Sequence, residues 1–137
     1  MGGQGIVVTA LYVALNALIL FALALNVGMR RGKQNALEPG ATGDATLTRA
    51  IRAHANFTEY APLVLVMILV LALLRAPVPL LHLMGLAFTI GRIAHALGMM
   101  QANHPNPLRF TGNALTGLVL LIGAAALLYD CAISLLP

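Results

Sequence analysis

Four apolar stretches, each about as long as a bilayer is thick, alternate along this chain with short polar breaks. The first runs from about Ile6 to Val27, the second over about 48–74, the third over about 80–100 and the fourth over about 110–135. Spanning hydrocarbon as a helix takes roughly 20 residues, so each stretch predicts one transmembrane helix. Residues 28–48 read as a loop broken by Gly28, Gly32, Pro39, Gly40 and Gly43, with Asp44 or Thr46 as a cap for the second helix. Arg75 to Pro79 leaves room only for a tight turn, and Gln101 to Arg109 forms a stiff, proline-bearing loop. Pro62 removes a backbone hydrogen bond inside the second helix and is expected to kink it. Short connections favour antiparallel neighbours. The expected fold is all-α, an integral membrane four-helix bundle in a single domain.

The polar positions within these stretches are few and ordered. Arg49, Arg52, Asn56 and Glu59 lie three or four residues apart and share one stripe at the head of the second helix. Lys and Arg near span ends set orientation. Arg30, Arg31, Lys33 and Arg49 flank the first connection and Arg109 closes the third, whereas the second holds Arg75 alone. The first and third connections are therefore expected in the cytosol and both termini on the opposite side. Arg92 then falls about 12 residues into the third helix, roughly 18 Å from its start and past the midplane of a ~30 Å core. His95 and Met99 share its face and lie nearer the cytosol, where Arg109 begins the fourth helix. Three helices thus bring polar side chains to one layer.

Composition supports the membrane reading. The chain of 137 residues is 60% hydrophobic and 9% charged, against about 25% charged in a soluble domain. The net charge of +4 comes from only eight Lys and Arg, placed beside spans rather than clustered on a soluble face, so no nucleic-acid partner is expected. The first apolar run has no basic residue before it and three after it, which favours a retained helix over a cleaved signal. Cys131 is the sole cysteine, so no internal disulfide can form. The histidines share no metal-ligand spacing, and no phosphate loop, dinucleotide fingerprint or serine triad is visible. His54 falls on the opposite face of the second helix, and neither His82 nor His104 is assigned a role.

The layer admits two readings. Arg92 is too deep to snorkel easily and needs a partner, for which Glu59 is the natural candidate; the pair would then be purely structural. Alternatively, several guanidiniums with one carboxylate suit an anionic or zwitterionic ligand. An electropositive pocket also lowers a thiol's pKa, so a soluble thiol peptide meeting a lipid-dissolved electrophile is one chemistry that fits.

At these residues the chain resembles the MAPEG family, the membrane-associated proteins in eicosanoid and glutathione metabolism, and looks closest to its short bacterial branch. The match rests on Arg52, Asn56, Glu59, Tyr60 and Pro62 of the second helix, on Gly91, Arg92 and His95 of the third, and on Pro107 to Arg109 entering the fourth. The resemblance implies a homotrimer in the bacterial inner membrane that holds glutathione between subunits near the cytosolic surface. Arg52, Asn56, Glu59 and Tyr60 would hold the tripeptide, with Arg92 and His95 adding contacts from the third helix. Arg109 would match the family arginine that stabilises the glutathione thiolate. The expected function is a glutathione-dependent transferase or peroxidase acting on a lipophilic small molecule from the bilayer. A non-catalytic member that binds lipid or a partner membrane protein is the alternative.

Overall fold

The computed structural model describes residues 2–33, 45–103 and 105–136. They form α1 (Gly2–Lys33), α2 (Ala45–Leu73), α3 (Val78–Met100) and α4 (Pro107–Leu135). All four are long and apolar enough to cross a membrane. With 29 residues, α2 and α4 each run about 44 Å, longer than a ~30 Å hydrocarbon core, so their ends reach into the polar layers. α1 runs through Gly28 and Gly32 to Lys33, where the sequence reading had placed a loop. Both glycines lie on the helix surface with open space around them, and a lone glycine weakens a helix by only about 1 kcal/mol. Pro39, Gly40, Gly43 and the candidate cap Asp44 lie outside the described residues. Thr46 lies inside the first turn of α2 rather than ahead of it.

Inside lipid, helices gain little from burying apolar surface against one another, so close packing and inter-helical hydrogen bonds must hold the bundle. Every pair of helices touches except α1 and α4. α2 and α3 form the centre and bury Phe57, Val64, Ile68, Leu71, Leu81, Met84 and Phe88. Two polar links, the first buried and the second partly so, join α1 to α3. The Asn16 Nδ2 donates to the Thr89 hydroxyl at 2.9 Å, and the Tyr12 hydroxyl meets His82 Nδ1 at 3.1 Å. His82, unassigned from the sequence, therefore helps to dock α1, with its ring edge-on to Tyr12.

The α3–α4 contact is the closest in backbone terms. A Cβ at Gly112 would stand 2.6 Å from the His95 backbone nitrogen, and one at Gly98 would stand 2.5 Å from the Arg109 nitrogen. Only hydrogen fits at either position, and this sets the first turn of α4 directly on α3. Asn106 caps that turn: its Oδ1 accepts from the Arg109 N–H at 3.2 Å while its Nδ2 donates to Gln101 Oε1 at 2.7 Å. Pro107 follows at the first helical position, where a missing N–H costs nothing.

Candidate functional site

Arg52, Asn56 and Glu59 rise at four- and three-residue steps along one face of α2, so the helix delivers them in register. The contact of α3 with the start of α4 brings His95, Met99, Arg109 and Asn113 opposite that face. Together these seven residues and Ala55 line a cleft of about 300 Å³, the lower end of the range for small-molecule sites. Five of the seven residues picked out from the sequence meet here: Arg52, Asn56, Glu59, His95 and Arg109. Asn113 was not among the residues picked out from the sequence, and its one-turn spacing from Arg109 is the signal that would have found it.

Arg92 and Tyr60 do not line the cleft. Arg92 is fully buried between α2, α3 and α4. Its Nη2 donates to Asn56 Oδ1 at 2.8 Å, and Nη1 makes a long contact of 3.5 Å with the Thr116 hydroxyl. The guanidinium carbon lies 5.7 Å from the Phe57 ring centre and 5.6 Å from that of Tyr60, within the range at which an aromatic face attracts a cation. The expected pairing with Glu59 is thus replaced by an amide and two rings. Asn56 stands between the charges, since its Nδ2 contacts Glu59 Oε2 at 3.5 Å. Because Oδ1 must accept from Arg92, the orientation of the amide is settled by its neighbours. Thr116, whose hydroxyl also donates to the Gly112 carbonyl at 2.9 Å, is a support that the sequence reading missed.

Arg52 is exposed and Arg109 half-buried, and neither side chain has a hydrogen-bond or ion-pair partner among the described residues. Glu59 is the one carboxylate in the lining. The cleft therefore carries an excess of uncommitted positive charge, to which the N-terminal end of α4 adds the positive end of its dipole. Arg49, on the same stripe by sequence, stays out of the lining and keeps a buried Nε without a hydrogen-bond partner. His95 is buried, and its Nδ1 likewise bonds no protein group. Among the described residues no group of three or more His, Cys, Asp or Glu converges as a metal would require. Two larger openings lie at the other end of the bundle, around Gln4 and Val78. One has no charged side chain and the other only Arg75, so neither offers the paired cations of the cleft.

Comparison with known proteins bears on the same helices. The chain is 34% identical over 91 residues to the inner membrane protein YecN of Escherichia coli strain K12, an alignment covering 66% of this chain and 69% of that protein. YecN of Escherichia coli O6:H1 matches to the same extent. The model of the MAPEG family matches residues 9–129, a span that includes α2 and α3, most of α1 and α4, and every residue of the cleft. The chain is an integral membrane protein and belongs to the MAPEG family.

Proposed function

We propose that the cleft binds glutathione and that the protein is a glutathione-dependent transferase or peroxidase for lipophilic electrophiles. The observation that supports this most is the meeting of two guanidiniums, Arg52 and Arg109, neither committed to a protein partner, with the single carboxylate Glu59. Glutathione carries two carboxylates and one ammonium, the complement of that set. Guanidiniums grip carboxylates in bidentate fashion. Arg109 stabilises the thiolate, the reactive form of a thiol. Arg52, Asn56, Glu59 and His95 hold the tripeptide. Arg92 and Tyr60 act through Asn56, which they help to fix in place. In transfer, the thiolate sulfur bonds the electrophilic carbon and the leaving group departs. In peroxide reduction, a hydroperoxide becomes an alcohol and water while two glutathiones become the disulfide.

A homotrimer completes this reading, with the second wall of the cleft coming from a neighbouring subunit. Only 11% of the apolar window of α4 is buried within one protomer, so a broad apolar face is open to lipid or to another copy. The distribution of cations and the names of the relatives favour a bacterial inner membrane with the cleft facing the cytosol. The test is turnover of a generic electrophile such as 1-chloro-2,4-dinitrobenzene by detergent-solubilised protein with glutathione. Arg109→Ala is expected to abolish the glutathione-dependent rate, and equal rates in both proteins overturn the role given to Arg109. A thermal shift with millimolar glutathione but no turnover identifies a binding protein without catalysis. No shift and no turnover together overturn the proposal.

A further inference from the structure

α1 and α4 do not touch; they flank the α2–α3 pair and form the two edges of the protomer. At the end of the bundle opposite the cleft, each edge carries one charged side chain. Arg75 belongs to the α1 edge, where it opens onto a cavity of about 470 Å³ lined also by Gln4, Gly5 and Val78. A second cavity of about 770 Å³ adjoins it through Gln4 and Val78 and adds Val7, Val8 and His82. Asp130 belongs to the α4 edge. Two registers put these charges at one depth. Along the antiparallel contact of α3 with α4, Gly98 faces Arg109, Gly91 faces Leu115 and Met84 faces Gly123. Seven residues further, position 130 is level with position 77. Along the parallel contact of α2 with α4, Met67 faces Gly123, and eight residues further position 131 is level with position 75. Arg75 is exposed and Asp130 half-buried, and among the described residues neither side chain has a hydrogen-bond or ion-pair partner. They are also the only charged side chains among the described residues at this end.

We propose that Arg75 of one copy pairs with Asp130 of the next, so that the α4 edge of each subunit seats on the α1 edge of its neighbour. The pairing rests on the ring of copies proposed above and not on the glutathione chemistry. A contact between unlike edges leaves edges free in an open assembly and none in a closed ring. Leu128, Tyr129 and Ile133 around Asp130 are exposed and apolar, and Val7, Val8 and Val78 give the openings an apolar wall to receive them. An anionic lipid headgroup would neutralise Arg75 but leave Asp130 alone at the edge of the hydrocarbon, whereas a second copy answers both charges together. The pairing also accounts for the residue at position 75. Its backbone is left-handed at φ 63, a conformation that glycine adopts more easily. The protomer thus carries an arginine there against its own backbone preference. Matched charges of this kind fix the register of an interface more than they add to its strength.

The test uses the full chain in the membrane, in a Cys131→Ser background. Arg75→Cys and Asp130→Cys are placed on separate chains with tags of different size, expressed together and treated with a short bismaleimide. A bismaleimide is needed because an Arg–Asp pair holds its backbones farther apart than a disulfide allows. A mixed dimer several-fold more abundant than either like pair is expected. Reversing one charge, by Arg75→Glu or Asp130→Arg, should raise the dissociation constant of the oligomer about tenfold, read by light scattering in mild detergent. The two reversals together should restore it. Arg75→Glu keeps a side chain on the left-handed backbone, so the strain within the protomer is unchanged. If a reversal variant fails to fold, the cross-link still decides. A chain carrying both cysteines that links to itself and not to its neighbour places the pair within one protomer and overturns the proposal. Loss of bound phosphatidylglycerol in Arg75→Glu, without the mixed dimer, overturns it in favour of a lipid headgroup. An oligomer of trimeric mass without the mixed dimer overturns the pairing and leaves the ring, whereas a monomeric mass for the unaltered protein overturns both.

Discussion

Asn56 keeps apart two charges that would otherwise meet. Its Oδ1 accepts from Arg92 and its Nδ2 faces Glu59, so Arg92 Nη2 finds an acceptor without consuming the only carboxylate in the cleft, while the buried Nε bonds no protein group. Two substitutions separate these duties. Asn56→Leu strands Arg92 Nη2 without an acceptor and should lower stability by about 1–3 kcal/mol, read as a fall in the thermal unfolding midpoint in detergent. Asn56→Asp retains an acceptor for Arg92 but adds negative charge to the lining. It should melt near the unaltered protein yet bind glutathione several-fold more weakly, since like charges about 4 Å apart cost roughly 1 kcal/mol even in water. Undiminished affinity in the aspartate variant, measured by titration calorimetry, would exclude an anionic ligand at this wall. Spacing along the sequence could not choose between Asn56 and Glu59 as the partner of Arg92. The two lie one turn apart on the same stripe, and the choice depends on side-chain reach across to α3.

Element-scale interactions fix where the site stands. α4 carries Arg109 into the cleft because Gly98 and Gly112 allow its first two turns to rest on α3. Alanine at Gly112 would drive a methyl to 2.5 Å from the Gly91 carbonyl oxygen, with backbone and not a flexible side chain in the way. Gly112→Ala should therefore destabilise by about 1–3 kcal/mol, while Gly117→Ala on the same helix, with nothing within 4 Å, should be neutral or stabilising by up to about 1 kcal/mol. Similar melting of the two variants would show that α3 and α4 do not pack this way. At the other end of the bundle, Arg75 takes a left-handed backbone at φ 63. The Ala76 N–H returns to the Leu71 carbonyl at 2.9 Å and the Arg75 N–H to that of Ala72 at 3.2 Å, a Schellman ending with arginine where glycine is usual. Arg75→Gly is expected to raise stability by about 0.5–1 kcal/mol after its added unfolded-state entropy is counted. Arg75→Val should lower it. A glycine at position 75 would have signalled this ending; an arginine did not, because backbone handedness leaves no periodic trace.

The apolar runs made the number of helices legible in the whole molecule, since a helix in lipid must satisfy its own backbone and needs a fixed length to do so. Helix ends were less legible. Past the hydrocarbon, water satisfies the backbone equally well whether a helix stops at Val27 or continues to Lys33. The convergence of Arg52, Asn56, Glu59, His95 and Arg109 was legible because antiparallel packing turns sequence position into depth. The links through Asn16, Thr89 and Thr116 were not, because a hydroxyl or amide inside an apolar run shows no partner until the helices are placed. The same conversion of position into depth gives the proposed glutathione chemistry its test at this scale. A cytosolic thiol peptide reaches the cleft only if the connection between α3 and α4 faces the cytosol. In a Cys131→Ser background, single cysteines at the exposed positions Asn103 and Leu136 report the two faces. A membrane-impermeant maleimide added to spheroplasts should label Leu136→Cys at once and Asn103→Cys only after lysis. The reverse order would turn the cleft away from the cytosol and remove its supply of glutathione, whatever the affinity of the isolated protein.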